Sequence, residues 1–253
     1  ILSANGTVNR TSGHVFGKFQ KSVAISATTK AFEVGDATNY TPIALSFTGV
    51  SVGGNLLAST TVGLHPQISA SGISQAKILN RYYTLTNTGI TLTSYDATFT
   101  FVSGDVLGGA NTANFVAQKY DGFIWSDLTE GTKDPAYTQI LGATSFSDFA
   151  IGEAVPPPII SAATGQWSST TTWNGGVVPV STDNVVIRSV DSVNVDVAST
   201  CTDLTIQAGG KLALAAKLTP ANVTLDGAII VNADTLKPTG VIITDALKKG
   251  GKY

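Results

Sequence analysis

Asn184-Val185-Val186-Ile187, Asp203-Leu204-Thr205-Ile206, Asn222-Val223-Thr224-Leu225 and Gly240-Val241-Ile242-Ile243 follow one another at nearly constant spacing, and each opens at a turn residue. Between them lies a second set, Ser192 to Val197, Lys211 to Ala216 and Ala228 to Ala233, entered through turns such as Ala208-Gly209-Gly210 and Asp226-Gly227. Two β-rich runs in a period of about nineteen residues predict a stacked β-coil. A single coil cannot bury its apolar face, so coils must stack, and the end of the stack has to be covered or joined to something. Asp203 aligns with Asn184 and Asn222, a pattern expected of a polar ladder whose side chains satisfy turn amides. The coil around Val241 to Thr244 should present an edge for self-association, by strand addition from another copy.

Upstream, Pro156-Pro157-Pro158 imposes an extended spacer, which sets the expected units at 1–153, a linker over 154–163 and the solenoid over 164–253. In the first unit, Tyr95-Asp96-Ala97-Thr98-Phe99-Thr100-Phe101 alternates aromatic and polar positions, as a half-buried antiparallel strand requires. Similar runs lie near 14–23, 31–35, 43–50, 55–62, 81–87, 114–120, 122–128, 137–143 and 147–152, with turn signals such as Gly53-Gly54-Asn55 and Asp121-Gly122 between them. Many short strands without helical periodicity predict an Ig-like antiparallel β-sandwich. The fold class is therefore all-β. Ser74 to Leu79 and Thr244 to Lys249 have some helical spacing but are short and poorly capped, and neither is counted as an element. Trp167 and Trp173, just after the prolines, are expected to plug the open end of the first coil.

Composition narrows the function. Charged residues are 13% of the 253, the net charge is −2, and the lysines are scattered, so the basic stripe of a nucleic-acid protein is missing. No stretch approaches the ~20 apolar residues that cross a bilayer. Cys201 is the single cysteine, which excludes an intrachain disulfide framework and suits a small core residue. The chain begins Ile1-Leu2-Ser3, as expected of a processed form or a piece of a longer polypeptide.

Phe32-Glu33-Val34-Gly35 with Tyr40-Thr41-Pro42-Ile43, Arg81-Tyr82-Tyr83-Thr84-Leu85-Thr86-Asn87, and Thr144-Ser145-Phe146-Ser147-Asp148-Phe149-Ala150-Ile151-Gly152-Glu153 together resemble a module that recurs in large secreted proteins of Bacteroidota. Trp167, Thr172-Trp173-Asn174-Gly175-Gly176, Pro179 and Asp183-Asn184-Val185-Val186-Ile187 resemble the β-helical segments that alternate with that module. The resemblance implies export, by the type IX route, to the cell surface or medium. It transfers no catalytic residue. It also suggests an Asp-hydroxyl-apolar pattern for O-glycosylation, matched by Asp191-Ser192-Val193 and Asp234-Thr235-Leu236 and making Ser192 and Thr235 the candidate acceptors.

No catalytic constellation is recognisable. His14 and His65 lie outside any metal-ligand spacing, and His65 before Pro66 reads as a surface-loop residue. Gly13-His14-Val15-Phe16-Gly17-Lys18-Phe19 mimics a phosphate loop, but its glycines are too close and Phe19 replaces the metal-binding hydroxyl. No nucleophile elbow is present. Coil aspartates at 183, 203 and 226, with 191, 196 and 234 elsewhere, were they paired roughly 5–10 Å apart, would suit glycoside cleavage. Gly104-Asp105 to Asn111 lacks the acidic density of a calcium loop, and no cofactor is expected. Exposed aromatics stack on sugars, which makes Tyr82, Tyr83, Trp125 and Tyr137 candidates for glycan contact. Because Tyr82 and Tyr83 are adjacent on a strand, one must face the core, and Trp125 should share the core face with Phe123. The expectation is a non-enzymatic, extracellular or cell-surface structural protein, such as a stalk, adhesin segment or fibre subunit. The alternative is a carbohydrate-binding module of a larger secreted protein, with surface polysaccharide as its partner.

Overall fold

The computed structural model describes residues 2–3, 8–231, 235–240 and 242–244. The chain is all-β and divides into two compact units, Ile1–Val155 and Pro156–Tyr253.

The first unit holds β1 (Val15–Phe16), β2 (Phe19–Val23), β3 (Thr29–Phe32), β4 (Val34–Gly35), β5 (Ile43–Thr48), β6 (Gly54–Val62), β7 (Ile73–Thr88), β8 (Ser94–Thr100), β9 (Phe115–Tyr120), β10 (Trp125–Asp127), β11 (Thr129–Asp134), β12 (Tyr137–Ala143) and β13 (Asp148–Ala154). A six-stranded antiparallel sheet runs β10-β9-β13-β7-β6-β2, and a five-stranded one runs β11-β12-β8-β5-β3. Strict alternation decides which face each strand buries. In β5, Ile43, Leu45 and Phe47 point inward and the residues between them are exposed. In β8, Tyr95, Ala97 and Phe99 do the same, as the sequence pattern requires. Both sheets meet in one core that includes Phe32, Leu56, Tyr83, Phe99, Ile140 and Phe149. Ser74 to Leu79 is the first half of β7, and the pairing register slips near Ile78, which breaks the period-two signal there.

The second unit holds β14 (Ile159–Ile160), β15 (Gly165–Gln166), β16 (Val185–Ile187), β17 (Ser192–Val195), β18 (Ser199–Ile206), β19 (Lys211–Leu214), β20 (Leu218–Leu225), β21 (Ala228–Val231) and β22 (Ile242–Thr244). They form two parallel sheets, β14-β16-β18-β20-β22 and β15-β17-β19-β21, which is the expected solenoid. Val185 pairs with Leu204 and Leu204 with Val223, in register with the sequence repeat, whereas Val223 pairs with Ile242 where the repeat expects Val241, so the last coil is displaced by one residue. The first sheet extends further than the repeat revealed. β18 and β20 begin before the apolar repeat, so that Ser199-Thr200-Cys201 also pairs with Leu218-Thr219-Pro220, with Thr202 and Ala221 left out of the register. Gly209 turns the chain between β18 and β19 at φ +92°, where a Cβ would also meet the Ser189 carbonyl oxygen at 2.7 Å. Cys201 is buried in the coil core; burial first, then the charges of Asp203 and Asp183, push its thiol up to about 12.

The stretch expected as a linker, 154–163, is already structured. Ala154 ends β13, and Ile159–Ile160 pairs with Val185–Val186 as the first rung of the solenoid.

Candidate functional site

Two columns of side chains run up the inner face of the second solenoid sheet. Val193 stacks on Leu212 and Leu212 on Ile229, while Val195 stacks on Leu214 and Leu214 on Val231. Val193, Val195, Leu212 and Leu214 are fully buried. In the last rung the burial fails: Val231 is 66% exposed, Ile230 44%, and Ile229 half-buried. β21 pairs with β19 on one side, and among the described residues nothing pairs with its other edge.

The opposite end is closed from within the chain. Trp167 follows β15 and Trp173 bridges to Ser161 beside β14; both are buried in the solenoid core. Their rings meet edge-to-face at 5.0 Å, and the Trp173 indole N–H donates to the Trp167 carbonyl at 2.8 Å. This is the plug expected from the sequence. Two aspartates of the next coil hold it down. Asp191 accepts from the Ser161 hydroxyl and from Arg188 Nε at 2.9 Å, and Asp196 accepts from the Ser168 amide at 3.1 Å and its hydroxyl at 2.5 Å. Burial alone would raise both carboxyls, but these hydrogen bonds, with the Arg188 charge at Asp191, outweigh it and hold them below the usual range.

The expected ladder is also present. The Asp203 amide donates to Asn184 Oδ1 at 3.3 Å, and Asn222 Nδ2 donates to Asp203 Oδ1 at 2.8 Å. Asp183 caps the Val180 amide. The coil aspartates in these hydrogen bonds therefore each hold backbone or neighbouring polar groups. Ser192 is half-buried in β17, between Gly165-side and Lys211-side strands, and its preceding Asp191 is the buried carboxylate just described. Thr235 is exposed, while Asp234 of its triplet lies outside the described residues.

The aromatic candidates need correction. Tyr83 is fully buried, its ring 4.7 Å from Phe99 and its hydroxyl donating to the Thr100 carbonyl at 2.7 Å, so no glycan reaches it. Tyr82 faces the other way, as adjacency demands. It is half-buried, as is Trp125, and both pack around His65, at ring distances of 5.1 and 5.0 Å. His65 is thus not a surface-loop residue: it is 6% exposed and sits among Tyr82, Tyr120 and Trp125. Its Nδ1 accepts from the Gln67 amide, which places the hydrogen on Nε2, facing Asp148 at 3.2 Å. The Trp125 N–H donates to the Gln67 carbonyl at 2.9 Å. These rings clamp the segment after β6 onto the sheet. Phe123 does not share their environment; it stands 90% exposed in the Asp121–Ile124 turn, where strand alternation does not apply. Tyr137 is half-buried in β12.

Asp105 of the loop weighed for calcium is bound to Arg81, and no group of three or more metal-ligating side chains occurs among the described residues. No helix among them is long and apolar enough to cross a membrane. No curated protein and no solved structure gives a significant match. Residues 172–237, from the second half of the tryptophan plug to the last coil, match the model of the G8 domain, a domain found in extracellular proteins.

Proposed function

We propose that this chain is a non-enzymatic structural segment of an extracellular or cell-surface protein, in which the C-terminal end of the solenoid receives a further rung from a second copy. It serves as a stalk, adhesin segment or fibre subunit. The observation that carries this is the contrast within one column: Leu214 is fully buried, and Val231, next in register, is 66% exposed on a strand whose outer edge has no partner among the described residues. Strand addition would bury that column and pair the edge. The G8 match supports an extracellular setting, and the motif resemblance supports a Bacteroidota protein exported by the type IX route. The tying of coil carboxylates into ladders and caps supports a role without catalysis.

Light scattering and negative-stain microscopy on the purified chain test it. Concentration-dependent oligomers or filaments are expected, and Val231→Lys should return them to monomer, because a desolvated ammonium opposes docking of a new rung. A wild-type chain that stays monomeric over a wide concentration range would overturn the assembly.

A further inference from the structure

The sandwich unit carries a second feature, independent of the solenoid end. A cleft of about 790 Å³ opens beside the distal half of β6, within the roughly 300–1,000 Å³ typical of small-molecule sites. β2 pairs with β6 only over Gly54 to Ala58, so Ser59–Val62 offer the cleft a backbone edge with no partner strand among the described residues. Ser59, Thr61, Asn80 and Lys18 are among the residues that line the same space, and their side chains make no hydrogen bond or ion pair among the described residues. Ser59 is nearly buried, so its hydroxyl has few waters to turn to.

The floor beneath them is rigid. The Arg81 side chain is fully buried and donates to Asp105 from Nε at 2.8 Å, to Asp36 from Nη2 at 2.6 Å and to Thr60 from Nη1 at 3.0 Å. Asp36 also accepts the Thr38 and Asn39 amides, both at 2.8 Å. Burial would raise its carboxyl, but the Arg81 and amide hydrogen bonds hold it well below the usual carboxylate range. At the lip, Phe16 ends β1 and is 73% exposed, and Gly17, at φ +105°, swings the chain away from it.

Charge and shape together select a ligand. Arg81 with Asp36 and Asp105 leaves one negative charge, which Lys18 balances, so the site favours neither anion nor cation. Hydroxyls, an amide and a bare strand edge on one side, with an open aromatic face on the other, match a molecule with many hydroxyls and one apolar C–H face. We infer that this cleft binds a neutral oligosaccharide, one pyranose stacking on Phe16 while its hydroxyls engage Ser59, Thr61, Asn80 and the β6 edge.

Saturation-transfer NMR and calorimetry on the full chain test this, with cellotriose, xylotriose, mannotriose and tri-N-acetylchitotriose as probes. Trigalacturonate is the acidic control, and a Thr-Val-Thr-Val peptide tests strand addition at the same edge. A neutral trisaccharide should bind, Phe16→Ala should weaken it about tenfold or more, Thr61→Val should weaken it less, and Tyr82→Ala should leave it unchanged. Phe16 and Thr61 are exposed, so an unaltered thermal melt should accompany both losses. Silence toward all four neutral probes, binding of the acidic sugar or the peptide alone, or neutral-sugar binding that survives Phe16→Ala would overturn the inference. Light scattering reads the solenoid end separately, so either reading can fail without the other.

Discussion

The two ends of the solenoid face one problem, an open stack of parallel strands, and meet it differently. At the start, Trp167 and Trp173 fill the first coil and are tied by Asp191 and Asp196 to the coil below. At the finish, β21 carries Ile230 and Val231 into solvent. A parallel stack has direction, and its two ends differ: large rings fill the first coil, whereas Ile230 and Val231 stand exposed on β21. The difference teaches that exposure at the last rung is specific to that rung, since the same inward column is fully buried one and two coils earlier.

Removing the plug should have the largest effect. Trp173→Ala deletes a buried indole, its contact with Trp167 and its hydrogen bond, and should destabilise the solenoid by about 3–5 kcal/mol. Urea unfolding followed by hydrogen exchange should show loss of protection across β14 to β16 while β7 and β8 of the sandwich keep theirs. An unchanged midpoint would mean that the tryptophans do not close the coil. Acid should loosen the same end next. Asp191 and Asp196 have folded-state pKa values below their unfolded ones, so their contribution is present at neutral pH and is lost as pH falls through and below the ordinary carboxylate range. Exchange in 159–173 should therefore rise on acidification before exchange in β19 and β20. Asp191→Asn should flatten that response; equal acid response at both ends would break the comparison.

Much of this was legible in the sequence because the signals were local or periodic. The repeat, the Asn184, Asp203 and Asn222 ladder, the tryptophan plug and the alternation in β8 each follow from neighbours or fixed spacing. What escaped is made by distant strands. His65 reads as a loop residue until Tyr82, Tyr120 and Trp125 arrive from three strands, and nothing local to Arg81 announces that Asp36 and Asp105 close on it. β11, Thr-Glu-Gly-Thr-Lys-Asp, is an edge strand with no apolar face to betray it. The first half of β18 and β20 hides because Thr200, Thr219 and Pro220 supply no alternation, and the cleft beside β6 depends on where β2 stops pairing.

Smaller effects sharpen the contrast. Asp203→Ala should cost about 0.5–1.5 kcal/mol, because it breaks the side-chain bond from Asn222 while the β-ladder on either side remains. The last pair is the most discriminating. Leu214 and Val231 occupy one column, and Leu214→Ala should cost about 2–5 kcal/mol through the cavity it leaves. Val231→Ala in the dilute chain should stay within about 0.5 kcal/mol, since a side chain two-thirds in water has little burial to lose. At concentrations where copies associate, the same substitution should weaken assembly and so become visible. If Val231→Ala instead costs as much in dilute solution as Leu214→Ala, the chain covers its own last rung, and the asymmetry between the two ends disappears.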